Sequence, residues 1–413
     1  MESERRCPQC GQLLAAGELH CPRCSGHAAP RSRVLGLSLL SLVVLFALTG
    51  FAARAYHLQR DALGQEWNGQ GQLDLQAGKA EKAVVDFRTA LVYARDSEPV
   101  QLNLARALVA ANRHEEAKAY LTSLWERDPA NAVVNLELGR LATSAGEEEE
   151  ALRYYHNALY DDWGSQDPAQ ARRSVRLEIY QFLMKQGDRR QAQAELVAMA
   201  ALLPPDPALY VQVGHLFLDV GDNARAVAEF QNALRLGGGE AALEGLGEAE
   251  FLLGNYRQAR LHLGRALHQK PGDPRLAEML DKADRVLDAD PFQPNLTLQE
   301  RDRRILRAYH QALLRLAACG VPPAVPEQGP APGALPAPSS PQLNPSLVPL
   351  ADGARSLQPR VSAEALDRDP DLVSQIMNLV FQIEEASVNG CPPPEALDQA
   401  LLLLARQQAS PEK

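Results

Sequence analysis

The sequence predicts a mainly α-helical protein in which a stack of helical hairpins follows a small cysteine module and one apolar helix. Three observations predict this order. Two cysteine pairs fall within residues 7–24, residues 34–53 carry no charge, and a pattern of small and large apolar residues then recurs at a nearly constant period. The 413 residues are therefore divided into parts of different chemistry.

The cysteine module reads CPQCGQLLAAGELHCPRC, with a C-x2-C pair at each end and ten residues between the pairs. Four thiolates can surround one zinc ion tetrahedrally, and each short turn offers two of them. A segment this small buries little core, so metal binding, worth roughly 10–16 kcal/mol in zinc peptides, would supply its folding energy. Two disulfides or four inert thiols are the alternatives.

This module resembles the short zinc ribbons that are common at the termini of bacterial proteins, over about twenty residues. The resemblance implies a domain over residues 1–30 and a structural Zn²⁺ ion as cofactor. Its ligands would be Cys7, Cys10, Cys21 and Cys24. Four sulfurs close the coordination sphere and leave no position for a substrate, which argues for a structural rather than a catalytic metal.

The apolar segment VLGLSLLSLVVLFALTGFAA, residues 34–53, predicts a single transmembrane helix. Its 20 uncharged residues would rise about 30 Å as a helix, which matches the hydrocarbon core of a bilayer. A buried core helix and a cleaved signal peptide are the alternatives. The apolar run is long for a signal peptide, and a folded module ahead of it is unlike the short basic start of one.

Arginines around this segment predict its orientation, because positive flanks stay in the cytoplasm. They are Arg5, Arg6, Arg23, Arg31 and Arg33 before the segment, and only Arg54 and Arg60 just after it. We therefore expect a single-pass membrane protein with a cytoplasmic N-terminus and an extracytoplasmic repeat region, periplasmic if the source is Gram-negative. The cysteine module is consistent with a cytoplasmic N-terminus, since the free thiols that bind zinc persist in a reducing compartment.

Charge argues against nucleic acid as the partner of the repeat region. Residues 1–60 contain seven arginines and three glutamates, a net of +4, and the whole chain is −10, so the remainder is −14. Phosphate binding needs a basic surface, which this acidic remainder does not provide.

The repeat is marked by six alanines, each followed four positions later by a large apolar residue. The alanines are Ala83, Ala117, Ala151, Ala192, Ala226 and Ala259, separated by 34, 34, 41, 34 and 33 residues. The long step contains DDWGSQDPAQ, an insertion between the third and fourth units. Small residues let two antiparallel helices approach closely, and stacked hairpins can bury the face that one hairpin cannot.

This pattern resembles the tetratricopeptide repeat over residues 63–271. The resemblance implies a right-handed solenoid of about six units plus a capping helix, over residues 61–290, which binds protein partners in a concave groove. Positions lining that groove would be Gln72, Arg106, Arg140, Gln181, His215 and Glu248. Arg106 and Arg140 would be adjacent and could grip a carboxylate. Alternatively they are merely solvated. The carboxylate clamp of some family members is incomplete here.

The remainder is expected to hold a helix over residues 291–320, a Pro/Ala-rich linker over 321–350 and a helical hairpin over 351–413. Ten of the 30 linker residues are proline, which suits an extended connection without a core. Cys319 and Cys391 each lie at a predicted helix end beside prolines. Outside the cytoplasm they could form a disulfide.

No GxSxG, P-loop or HExxH pattern, each typical of an enzyme active site, occurs in the chain. We therefore infer the function from the predicted architecture. We expect no enzyme and no small-molecule substrate. The first hypothesis is a membrane-anchored scaffold or adaptor whose repeats bind proteins, for assembly of an envelope complex. The alternative is a membrane-bound sensor or regulator that signals through the cytoplasmic zinc ribbon.

Overall fold

The structure is a computed structural model that describes residues 5–24, 31–164, 167–321 and 345–409, without the side chains of residues 31–39. The chain forms two compact units, Met1–Val175 and Arg176–Lys413. Most of the predicted linker, residues 322–344, lies outside the described residues.

The first unit contains a two-stranded antiparallel hairpin followed by helices. The strands pair Arg5 with Leu14 and Arg6 with Leu13. The elements are β1 Arg5–Arg6, β2 Leu13–Leu14, α1 Arg31–Gln76, α2 Ala80–Tyr93, α3 Glu98–Ala110, α4 His114–Arg127, α5 Ala132–Ala145, α6 Glu148–Tyr160 and α7 Pro168–Gln186, within which the second unit begins.

The second unit is helical throughout its described residues. Its remaining helices are α8 Arg189–Ala200, α9 Pro207–Val220, α10 Asn223–Arg235, α11 Gly239–Leu252, α12 Tyr256–Gln269, α13 Pro274–Ala289, α14 Leu298–Ala318, α15 Val348–Leu357, α16 Ala363–Arg368, α17 Pro370–Ala386 and α18 Ala396–Ala409. Short 3₁₀ turns cover Pro345–Leu347 and Gln358–Arg360.

Successive helices pair as hairpins, which confirms the predicted mainly α, tetratricopeptide-type fold. In three of these hairpins the two helices approach closely because a glycine on one helix lies opposite an aromatic ring on the other. A Cβ atom added at Gly71 would lie 2.7 Å from Phe87 Cε1, and one at Gly214 would lie 2.8 Å from Phe230 Cε1. Phe87 and Phe230 are completely buried. In these hairpins the absent side chain is what admits the ring.

The turns inside the hairpins use left-handed backbone angles, as the glycine pattern predicts. The predicted turn glycines have positive φ in five hairpins: Gly78, Gly146, Gly187, Gly221 and Gly254. The α3–α4 hairpin has no glycine there, and Asn112 adopts a φ of 59° in its place. Asparagine is the residue other than glycine that tolerates this conformation most readily.

Helix α1 joins the predicted membrane segment and the first repeat without a break. It runs for 46 residues, whereas the sequence suggested a span over 34–53 and repeats from residue 61. By length and composition it is the one helix among the described residues that could cross a membrane, and its apolar stretch is not buried in the protein. The continuity gives any anchor a direct helical connection to the first hairpin.

The C-terminal segment has more elements than the predicted hairpin over 351–413. Helices α17 and α18 are preceded by α15 and α16, and all four share one apolar core with α14. The Tyr309 hydroxyl donates a hydrogen bond to the Ala354 carbonyl at 2.7 Å. Buried Arg315 donates to the carbonyls of Pro392 and Ser387, at 2.7 and 3.1 Å.

Glu384 is buried in the same core. Burial, reinforced by the negative charge of Asp398, raises the pKa of its carboxyl to about 8. The side chain is therefore mainly protonated at neutral pH, which avoids the cost of a buried carboxylate.

We expect Gly214→Ala to destabilise the repeats by about 1–3 kcal/mol, because the new methyl group would collide with Phe230. Gly264→Ala is the matched control: it lies inside α12, and an added Cβ meets nothing within 4 Å. This control should stabilise by about 0.5–1 kcal/mol, since alanine loses less backbone entropy in a helix. Thermal unfolding followed by far-ultraviolet circular dichroism measures both, and equal shifts would contradict the packing explanation.

Candidate functional site

The four N-terminal cysteines converge on one point. Their ligand atoms all lie within 4.8 Å of one another. The Cys7 and Cys24 sulfurs are 3.5 Å apart, and the Cys10 and Cys21 sulfurs are 3.6 Å apart. All four are free thiols, so the disulfide alternative does not describe this arrangement.

The donor set fits a tetrahedral metal ion. Four sulfurs at about 2.3 Å from zinc would stand roughly 3.8 Å from each other, close to the separations observed. Backbone N–H groups of Gln9 and Cys10 donate to the Cys7 sulfur and lower its pKa to about 6. A thiolate is the form of cysteine that binds metal, so these hydrogen bonds from the turn favour the metal-binding form of Cys7. These four cysteines could hold a metal ion.

The predicted groove arginines do come together, but on a carboxylate of the protein itself. Arg106 Nε lies 2.7 Å and Arg140 Nη1 2.9 Å from Oε1 of Glu137. The Glu137 side chain is only 9% exposed, whereas the arginines are 37% and 42% exposed. Glu137 is not among the predicted groove residues, although its position three residues before Arg140 places it on the same helical face.

The insertion between α6 and α7 forms one wall of this groove. Asp162 donates its N–H to the Ala130 carbonyl and accepts the N–H of Ala132 at its own carbonyl, each at 3.0 Å. The next residue, Trp163, is 5% exposed. A concavity of about 470 Å³ results. It is lined by Arg106, Val133, Leu136, Arg140, Trp163, Asp167, Gln170, Ala171 and Ser174.

The other predicted groove positions are occupied differently. Gln72 lies on the exposed side of α1, and Gln181 is exposed on α7. The His215 ring packs edge-on against Phe230, with centroids 5.1 Å apart. Glu248 accepts a hydrogen bond from Arg275 at 2.9 Å, and burial raises the pKa of its carboxyl. His215 and Glu248 therefore have internal partners, in the second unit.

Cys319 and Cys391 are joined by a disulfide across 72 residues of sequence, with Cα atoms 4.9 Å apart. The bond links the end of α14 to the segment between α17 and α18. Its neighbour Ser387 lies 3.8 Å from the Cys319 sulfur. The two cysteine sets of this chain are therefore in different chemical states, with thiols before α1 and a disulfide after it.

Comparison with known families supports the repeat. Models described as tetratricopeptide repeat match residues 74–124, 108–162 and 213–274. No curated protein matches the chain significantly. The chain therefore contains tetratricopeptide repeats in both units.

Solved structures of the same kind are distant from this chain. One from a study of Pseudomonas aeruginosa PilF is 19% identical, covers 54% of this chain and 99% of its own, and has a TM-score of 0.37. PilW, described as a type IV pilus biogenesis factor, is 17% identical over 53% and 98%, with a TM-score of 0.38. A repeat domain of yeast Sti1 in complex with an Hsp90 peptide is 14% identical over 54% and 99%, with a TM-score of 0.24.

We expect the full chain, purified without a metal-binding tag, to carry one zinc ion, and Cys7→Ser to lose it. Removing one of four thiolates opens the coordination sphere and removes a charged ligand. Cys319→Ser is the control, because it changes a cysteine outside the cluster. Elemental analysis of protein prepared with reducing agent gives the result. A wild-type chain without zinc, or equal zinc in both variants, would contradict the metal assignment.

Proposed function

We propose that this protein is a membrane-anchored scaffold whose tetratricopeptide repeats bind a protein segment outside the cytoplasm, in the assembly of an envelope complex. Zinc would hold the N-terminal ribbon together on the cytoplasmic side. The observation that carries the proposal is the order of parts along the chain: a thiol cluster, an apolar helix, then repeats that end in a disulfide-linked core.

The two cysteine states support this topology. Four separate thiols suit a reducing compartment, and a disulfide suits an oxidising one. The apolar part of α1 separates the two sets in sequence. The five arginines before this segment, against two just after it, agree with the same orientation.

The concavity of the first unit is the proposed binding site for an acidic partner segment. The Arg106 and Arg140 side chains are 37% and 42% exposed, although Glu137 offsets part of their charge and Asp167 lies in the same lining. An entering carboxylate would share the arginines with Glu137. Since both arginines are more than a third exposed, solvent weakens each contact, and we expect a contribution smaller than that of a buried ion pair.

The insertion gives this site a specific shape. Trp163 closes one side of the concavity, with 5% of the residue exposed. Arginine is among the residue types that most often dominate binding energy at interfaces. Enzymatic chemistry is not part of the proposal.

Orientation is tested with a reporter enzyme that is active only outside the cytoplasm. Fused after Lys413 the reporter should be active, and fused after position 30 it should be silent, because the apolar helix separates the two sites. A fluorescent reporter that matures only in the cytoplasm should give the opposite pattern and serves as the control. If both patterns are reversed, the repeats lie in the cytoplasm and the proposal fails.

Groove binding is tested by a pair of changes with opposite expected effects. Short peptides selected on the wild-type chain from a random library should be rich in Asp and Glu. Arg106→Ala with Arg140→Ala should weaken their binding about threefold to tenfold, as expected for two solvent-screened ion pairs. Glu137→Gln removes the internal competitor and should strengthen binding.

Fluorescence anisotropy of a selected peptide, with circular dichroism as a folding control, measures both changes. Weakening by Glu137→Gln, or no effect of the arginine changes, would place the binding site elsewhere on the solenoid.

A further inference from the structure

A second polar surface lies where α2 ends beside α1. Arg60 donates to the carbonyls of Tyr93 and Val92 at the end of α2, at 2.8 and 3.4 Å. Its guanidinium also lies over the Tyr56 ring, 5.9 Å from the centroid. We call Tyr56, Arg60, Val92, Tyr93 and Arg95 the arginine–tyrosine surface. With Gln59 and Leu63 these residues line an open concavity of about 520 Å³.

The continuity of α1 fixes the position of this surface relative to the apolar segment. Arg60 is seven residues past residue 53, which at about 1.5 Å per residue is roughly 10 Å along the same helix. Lys82 at the start of α2 donates to Asp74 near the end of α1, at 2.8 Å. Helix α2 is thus antiparallel to α1, and its C-terminal end points back toward the apolar segment.

The polar headgroup layer of a bilayer begins where its hydrocarbon core ends and is several ångströms deep. If residues 34–53 fill the hydrocarbon core, Tyr56 lies roughly 4–5 Å beyond it, inside that layer. The Arg60 guanidinium reaches the same layer because it lies over the Tyr56 ring. Aromatic residues with polar tips are enriched there, and arginine attracts anionic lipid.

The exposed chemistry of the surface suits a phospholipid headgroup. Val92 is 66% exposed and Tyr56 60% exposed, so two apolar bodies face outward beside the arginines. Among the described residues, the Arg95 side chain has no hydrogen bond or ion pair. The residues that line the concavity include two arginines, Arg60 and Arg95, and no acidic residue. The lining is therefore basic within a region that is acidic as a whole.

We propose that the arginine–tyrosine surface binds anionic phospholipid headgroups, with Arg60 and Arg95 at the phosphate and the exposed side chains of Val92 and Tyr56 beside it in the headgroup layer. The proposal rests on the membrane anchoring proposed above. It assigns to the first hairpin a role beyond binding protein partners: contact with the bilayer would fix the tilt of this hairpin at the membrane surface.

The depth of the arginine–tyrosine surface in the bilayer is tested with the full chain in nanodiscs that contain phosphatidylcholine and phosphatidylglycerol. The photocrosslinking residue p-benzoylphenylalanine is placed at position 92 or at position 85. Val85 is the matched control, because it is 61% exposed on the same helix and two turns farther from the apolar segment. Lipid adducts should form at position 92 and not at position 85. Equal adducts at both positions, or none at either, would overturn the proposal.

Lipid choice is tested by native mass spectrometry of protein released from the same nanodiscs. Each arginine near a membrane surface contributes roughly a fivefold preference for anionic lipid, so Arg60→Gln with Arg95→Gln should lower the bound phosphatidylglycerol-to-phosphatidylcholine ratio about 30-fold. Arg95→Gln alone should lower it about fivefold and leaves the Arg60 contacts to α2 intact.

Arg189→Gln with Arg190→Gln removes two exposed charges from α8 and should leave the ratio unchanged. An unchanged ratio in the Arg60 and Arg95 variants would overturn the lipid site. Alkaline carbonate extraction separates the two proposals. Protein that stays in the membrane but fails these tests overturns only the lipid site, whereas protein released by carbonate overturns the anchor as well.

Discussion

The contact between an aromatic ring and a glycine on the facing helix is the constraint on which three of the repeat hairpins depend. Gly71 with Phe87, Gly139 with Tyr155 and Gly214 with Phe230 repeat the same pairing sixteen positions apart. The ring occupies the volume that a side chain would need, so the two helices of a hairpin approach closely, and successive hairpins stack on one another's faces. Concave surfaces such as the one beside Arg106 exist because these faces stack.

Helix α1 connects the first of these glycine–aromatic contacts directly to the apolar segment. Gly71, which receives the Phe87 ring, lies on the same uninterrupted helix as residues 34–53. Since a continuous helix has no hinge, the first hairpin would inherit the direction of the apolar segment, and the end of α2 would lie close to the bilayer surface. The thiol cluster precedes this helix and the disulfide follows it, so one structural element separates two redox chemistries.

Internal ion pairs limit what the groove can bind. Arg106 and Arg140 are directed toward one position, as adjacent repeat helices require, but Glu137 occupies that position. A partner carboxylate therefore meets two arginines whose charge is offset by Glu137, with Asp167 in the same lining. The insertion compensates in another way, since its hydrogen bonds to the start of α5 bury Trp163 at the edge of the same concavity. Recognition at this site would combine shape with charge.

Periodic features of this protein were determined by the sequence alone. The alanine and glycine spacing predicted the hairpins, and the C-x2-C pairs predicted a cysteine cluster, because these patterns act over a few neighbouring residues. The tertiary structure alone decided which partner each polar side chain meets. Glu137 between two arginines, Trp163 at the groove and Arg60 at the end of α2 each depend on the distance between separate helices. The sequence pattern does not determine that distance, because the distance between two helices results from how the whole hairpin packs.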